Sequence, residues 1–146
     1  MGNAFGPKVL DPPEDIAQGQ FGVFRTDRAF SGFKKITCKC HDGNLRAFVA
    51  QVTIPDGARV IRPRQDPYTW YPSDKLRTDE YKIEKIFRGF SISPPVDCFS
   101  RLGKAGYKYE EGKTYKEPEL NTETRSECGT PGLFFFLTYR EANGYI

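Results

Sequence analysis

Apolar and β-branched residues along the chain alternate with polar ones mainly at the two-residue period of β-strands. The pattern is clearest over residues 33–54, where alternate residues such as Ile36 and Cys38 fall on one face of a first arm. The Asp42-Gly43 turn that follows is a strong hairpin signal. The second arm, Leu45–Ile54, is almost continuously apolar, which predicts a strand in the interior of a sheet.

The end of the chain carries the densest cluster of apolar residues. Leu133–Leu137 is an unbroken apolar run that cannot place every side chain on one face, so it predicts a strand covered on both faces. Thr138 and Glu141 match a capping box, in which the threonine caps the Glu141 amide and the glutamate reaches back to the threonine amide. Upstream, residues 107–109 and 113–116 flank a turn and predict a further hairpin.

Shorter strands are predicted at residues 21–24, 58–61 and 81–87. The chain has 146 residues, with 14 glycines and 11 prolines, which is typical of one turn-rich domain. The predicted fold is α+β, mainly antiparallel β hairpins with a short C-terminal helix. Residues 1–19 are predicted to form an N-terminal arm, and residues 20–146 a single globular domain.

The second half of the chain resembles a family of uncharacterised small domains found in large DNA viruses, phages and some bacteria, sometimes beside pentapeptide repeats. Its pattern is a tyrosine hairpin, a loop with Cys, then Ile-His-Phe-Phe and a Thr-Arg-Glu-Glu-Ala helix start. The matching positions are Tyr107, Tyr109, Gly112, Tyr115, Cys128, Gly132, Leu133, Phe134, Phe135, Phe136, Thr138, Arg140, Glu141 and Ala142. Two positions depart from the pattern: Phe134 stands in place of the histidine, and Leu76 in place of an upstream cysteine. The resemblance implies a fold and a viral source rather than a reaction.

The net charge of +3, with both signs interspersed, is ordinary for a soluble domain. No apolar stretch approaches the roughly 20 residues of a membrane span. The start shows no signal-peptide pattern. The expected location is therefore a virion or the host cytoplasm, without secretion, and the four cysteines are expected to stay reduced.

Metal binding and thiol catalysis are weak hypotheses for this sequence. Cys38, Cys40 and His41 lie close together, and Cys98 or Cys128 could complete a zinc site. Structural zinc sites usually have two Cys-x(2–4)-Cys knuckles, and a second pair is missing here. Two small core cysteines and a solvated turn histidine are the favoured interpretation, so we predict no metal, no cofactor and no catalytic residue.

The Pro-aromatic loop at residues 64–73 offers candidate contact residues. Trp, Tyr and Arg dominate the energetics of protein interfaces, so Arg64, Tyr68, Trp70 and Tyr71 are candidates for contacting a partner. The alternative, which the pattern favours, is a lid whose rings cover one end of the sheet.

Two other function classes remain open. The strand followed by Tyr139, Arg140 and Glu141 is similar to the core of ADP-ribosyl-transferring folds, which would place these three residues in a nucleotide cleft. The capping box is the favoured explanation of the same residues. A nucleic-acid patch is a further, weaker alternative. Its basic and aromatic residues would be Arg59, Arg62, Arg64, Trp70, Lys75 and Arg77.

The leading hypothesis is a non-enzymatic viral structural or interaction module, with a minor, capsid-associated virion component as its specific form. Its partners would be other proteins of a larger assembly. No small-molecule substrate is expected, because the sequence contains no catalytic set.

Overall fold

The structure is a computed structural model that describes residues 6–64, 74–88, 93–100, 108–124 and 131–145. Within these residues the chain forms ten strands and two short helices. The strands are β1 (Gly22–Arg25), β2 (Phe30–Cys40), β3 (Leu45–Ile54), β4 (Arg59–Arg62), β5 (Leu76–Thr78), β6 (Glu80–Phe87), β7 (Pro95–Ser100), β8 (Lys108–Tyr109), β9 (Thr114–Lys116) and β10 (Leu133–Phe135). The helices are α1 (Glu14–Ala17) and α2 (Tyr139–Gly144). The prediction of a mainly antiparallel β protein with a short C-terminal helix is confirmed.

Two antiparallel sheets enclose a common core. One has six strands in the order β8-β7-β2-β3-β6-β9, and the other has four in the order β1-β4-β5-β10. Phe30 and Phe135 come from different sheets, are both fully buried and place their ring centroids 6.0 Å apart. The backbones of Phe33 and Phe136 exchange two hydrogen bonds of 2.7 Å, which join β2 to the end of β10.

The close packing of the two sheets depends on a glycine. A Cβ added at Gly32 would lie 2.6 Å from the nearest ring carbon of Phe135 and 3.1 Å from Cδ1 of Ile54. The absence of a side chain at Gly32 therefore lets the Phe135 ring pack directly onto the backbone of β2.

The predicted hairpin of β2 and β3 is confirmed. The two strands pair from Lys39 opposite Leu45 at the turn to Phe30 opposite Ile54 at the far end. Cys38 is buried on the core face, as the alternation predicts. β3 also pairs with β6, so it is an interior strand, again as predicted.

Side chains on the outer face of β2 and β3 are buried by the two ends of the chain. Ala142 of α2 packs in a small cluster with Phe33, Val49 and Phe136. Farther along β3, the Gln51 side-chain amide donates to backbone carbonyls in residues 7–8. Because both faces of β3 are buried in this way, its sequence is a nearly unbroken apolar run.

Residues 6–19, at the N-terminal end, lie across the sheets. The backbone amide of Ser31 donates to the Leu10 carbonyl at 3.0 Å, and the Leu10 amide donates to the Ser31 hydroxyl at 2.7 Å. Ile16 of α1 is fully buried in the main core. This segment therefore contributes to the core of the globular fold.

The hairpin predicted around residues 110–112 is wrong in its pairing. β8 pairs with β7 and β9 pairs with β6, so the two strands lie at opposite edges of the six-stranded sheet. The turn itself bonds to β6, since the Gly112 amide donates to the Ile83 carbonyl at 2.7 Å and the Ile83 amide donates to the Lys113 carbonyl at 3.0 Å.

The short connection between β8 and β9 requires the six-stranded sheet to curl, because these two strands lie at its opposite edges. Five interstrand spacings in a flat sheet would separate its edges by about 24 Å. The chain from Tyr109 to Thr114 can span only about 18 Å when fully extended. The curl brings the Tyr109 and Tyr115 rings to 5.1 Å between centroids, and the Tyr109 and Tyr81 hydroxyls to 3.3 Å.

Two cysteines form a disulfide, so the expectation that all four stay reduced is wrong for this pair. Cys38 of β2 lies directly opposite Cys98 of β7, and their sulfurs are bonded at 2.10 Å. Cys40 is buried and free, and Cys128 lies outside the described residues. The bond removes Cys38 as a zinc ligand, and the described ranges contain no group of three or more His, Cys, Asp or Glu that could hold a metal.

The end of the chain follows the sequence pattern closely. Leu133 and Phe135 face the main core, while Phe136 packs under α2, so this run is covered on both faces as predicted. The Thr138 hydroxyl accepts a hydrogen bond from the Glu141 amide at 3.1 Å, which confirms the predicted helix start. The Glu141 carboxylate accepts from the Thr138 hydroxyl at 2.8 Å, rather than from the Thr138 amide.

Candidate functional site

Arg64 lies beside an exposed apolar patch at the edge of the four-stranded sheet. Its guanidinium carbon is 4.5 Å from the centroid of the Phe21 ring, and its backbone amide donates to the Thr124 carbonyl at 2.6 Å. Phe21 is 53% exposed and Val23 of β1 is 51% exposed. Phe21, Val23 and Arg64 are called the β1 surface below. Its apolar area and its stacked guanidinium are features that protein interfaces favour.

The remaining predicted contact residues, Tyr68, Trp70 and Tyr71, lie outside the described residues. The lid hypothesis and the contact hypothesis for these three aromatic residues both stay predictions.

The residues of the alternative enzyme site have separate structural surroundings. The Tyr139 ring packs edge-on against Phe87, with centroids 5.6 Å apart, while Arg140 is exposed. Burial and then a hydrogen bond with Asp74 raise the pKa of Glu141. Packing and capping thus account for Tyr139 and Glu141, and the nucleotide-binding hypothesis stays a prediction.

Two cations of the predicted nucleic-acid patch are buried, and a third is paired with a carboxylate. Arg77 is fully buried and bonds to carbonyl oxygens of the loop after β9. Arg62 is buried as well and donates to the Ile16 carbonyl at 2.7 Å. Arg59 forms a 2.9 Å ion pair with Asp79. Burial removes Arg62 and Arg77 from any exposed basic surface, and the nucleic-acid hypothesis stays a prediction.

Lys34 faces the interior of the curled sheet, because alternation along β2 places it on the same face as Ile36. Its ammonium donates to the Phe134 carbonyl at 3.2 Å. It also lies 5.9 Å from the centroid of the Tyr109 ring and 5.9 Å from that of the Phe134 ring. In the part of the chain that the structure describes, Lys34 forms no ion pair with a carboxylate.

A second lysine shares the Phe134 ring with Lys34. The Lys75 ammonium is 4.3 Å from the centroid of that ring and hydrogen-bonds to the Tyr145 hydroxyl at 3.1 Å. Lys34, Lys75, Tyr109 and Phe134 are called the Lys34 site below. The position at which the resembling family has a histidine therefore lies beside two ammonium groups.

The surroundings disfavour ionisation of both Lys34 and Tyr109. Burial, and then the nearby positive charge of Lys75, lower the pKa of Lys34 to about 7. Burial also raises the pKa of Tyr109 to about 12. A lysine with this environment is a candidate functional group, because such shifts concentrate at functional sites.

Sequence reasoning did not single out Lys34. The available signal is the alternation itself, because the same period that places Ile36 and Cys38 in the core places Lys34 on the core face. Two groups define its environment: Lys75, which directly precedes β5, and Phe134, which lies in β10. No local sequence pattern links them to Lys34.

Comparison with protein families matches residues 20–142 to DUF5758, a family of unknown function. The match runs from just before β1 into α2 and includes both sheets. Comparisons with curated proteins and with solved structures found no match. No helix within the described ranges is both long enough and apolar enough to cross a membrane.

Proposed function

The chain belongs to DUF5758, a family of unknown function, and we propose that it is a non-enzymatic interaction module of a larger viral assembly. The β1 surface carries this proposal. It combines an exposed phenylalanine, an exposed valine on an edge strand and an arginine stacked on the phenylalanine ring. A protein partner that covers these side chains would remove apolar surface from water and surround the guanidinium with acceptors.

The strand geometry adds a second mode of contact. β1 pairs only with β4 among the described strands, so its other edge is open within the described part of the chain. Such an edge can accept an extended segment of a partner through main-chain hydrogen bonds. Val23 points away from the core beside that edge and supplies a side-chain contact next to the backbone contacts.

A virion component is the specific form of the proposal. The resemblance of the C-terminal motif to domains of large DNA viruses and phages supports a viral source. The Cys38–Cys98 bond favours the particle over the host cytoplasm, because disulfides persist on virion surfaces and are rare in reducing cytosol.

Native mass spectrometry of the purified chain mixed with its source lysate or particle proteins tests the proposal. We expect a complex of fixed stoichiometry with another protein. The double variant Phe21→Ser/Val23→Ser should weaken that complex by at least about tenfold, since a loss of roughly 1.4 kcal/mol is a factor of ten. Val96→Ser is the matched control, because Val96 is 58% exposed on a different sheet.

Two results would overturn the proposal. One is a wild-type chain that stays monomeric with every fraction of its source. The other is a double variant that remains folded and assembles as well as the Val96→Ser control.

A further inference from the structure

We propose that Lys34 is a nucleophilic amine that condenses with a small aldehyde or ketone to form an imine. The inference is independent of the β1 surface and adds a chemical activity to the fold. It rests first on placement: a lysine on the core-facing side of β2 lies against Tyr109 of β8 and against the Phe134 carbonyl of β10. Lys34 retains some solvent exposure, and its reaction with a small reagent in the folded chain is what the experiment below measures.

The charges around the amine favour its neutral form. Among the described residues, the titratable groups that face Lys34 are Lys75 and Tyr109, and neither supplies a negative charge at neutral pH. Within the described residues no carboxylate forms an ion pair with Lys34. A lysine amine is made nucleophilic in this way when it is desolvated or placed next to another cation.

The reaction requires no redox partner. The Lys34 nitrogen lone pair attacks the carbonyl carbon, and the C=O π pair moves to oxygen to give a carbinolamine. The two N–H protons then leave with that oxygen as water, and a C=N bond remains. The reaction is a condensation, and hydrolysis reverses it.

The pKa supports reactivity at neutral pH. With a pKa of about 7, roughly half of Lys34 is neutral at pH 7. An ordinary lysine, with a pKa near 10.4, is neutral in only about one molecule in 2,500 at that pH. Even after a large reduction for restricted access, Lys34 should react at least about tenfold faster than exposed lysines.

A purely structural role is the competing explanation. The hydrogen bond from Lys34 to the Phe134 carbonyl fastens β10 to β2, and that role does not require a reactive amine. Labelling kinetics separate the two explanations, because a fastening lysine that stays protonated is slow to react.

The experiment treats the folded full chain near pH 7 with glyoxylate and cyanoborohydride, which reduces any imine to a stable carboxymethyl-lysine. Peptide mapping by mass spectrometry then measures the rate at each lysine. We expect Lys34 to be modified at least about tenfold faster than Lys39, an exposed lysine on the same strand. Lys75→Met should slow modification of Lys34 several-fold, because loss of the neighbouring positive charge returns the amine towards its protonated form.

Denatured chain provides the control for intrinsic reactivity. In concentrated guanidinium chloride, Lys34 and Lys39 should react at similar rates, because the surroundings of Lys34 are lost. The proposal is overturned if Lys34 reacts no faster than Lys39 in the folded chain, or if its preference survives denaturation. The first comparison uses the wild-type protein, so it does not depend on whether a variant folds.

Discussion

Replacing Lys34 with methionine should stabilise the protein most below about pH 7 and progressively less as the pH rises above it. The folded-state pKa is about 7 and the reference value is 10.5, so the unfolded chain binds the proton more tightly. The charged lysine therefore costs stability fully below pH 7, and this cost disappears as the pH rises from about 7 to about 10.5. Each tenfold change in proton affinity corresponds to about 1.4 kcal/mol, which sets an upper limit of about 5 kcal/mol. Residual hydration of this partly exposed side chain reduces the expected effect to about 2 kcal/mol.

Urea unfolding gives the free energy of unfolding of the wild type and of the variant at about pH 6 and about pH 9. The effect is the amount by which the stability difference between the two proteins changes from one pH to the other. The hydrogen bond to the Phe134 carbonyl is stronger from the charged amine than from the neutral one, and the lowered pKa already includes that difference. Lys39→Met is the control, because it removes an exposed lysine from the same strand. A Lys34→Met stability difference that is equal at both pH values would refute the reasoning, since the Lys34 amine would then be as well hydrated as any surface lysine.

Two further perturbations test the packing and the covalent bond. Gly32→Ala should destabilise the protein by about 1–3 kcal/mol, because the new methyl group would overlap the Phe135 ring of β10. Gly144→Ala, where an added Cβ meets nothing within 4 Å, should change the urea stability by only about a few tenths of a kcal/mol. Cys98→Ser should cost about 4 kcal/mol, because its bond to Cys38 spans 60 residues of chain. A reductant should lower the wild-type unfolding midpoint to that of Cys98→Ser and leave the variant unchanged; an unaffected wild type would contradict the bond.

Local patterns predicted the parts of the fold whose causes are local. The β2–β3 hairpin follows from alternation and from the turn at Asp42-Gly43, both contained within about twenty residues. The start of α2 follows from the Thr138 hydroxyl and from Glu141 three residues later, so a four-residue pattern marks it. The apolar run at residues 133–137 predicted a strand that is buried on both faces, because three adjacent phenylalanines cannot share one side of a strand.

The rest depends on contacts between distant segments. Residues 108–116 have the turn and aromatic spacing of a hairpin, yet the partners of both strands are chosen by the curl of a six-stranded sheet. Cys38 and Cys98 become neighbours only through the β2–β7 register. Lys34 belongs to the same class, because its unusual environment is made by Lys75 and Phe134, which arrive from other parts of the chain.

The turn at residues 110–113 has a consequence for the order in which the molecule folds. Although only a few residues separate β8 from β9, the two strands do not pair with each other, because β8 pairs with β7 and β9 pairs with β6. The turn therefore cannot nucleate folding as an ordinary hairpin does, and pairings between distant segments make folding slow. Both strands are short and lie at the edges of the sheet, so the amides of residues 108–116 should exchange with solvent ahead of those in β2 and β3.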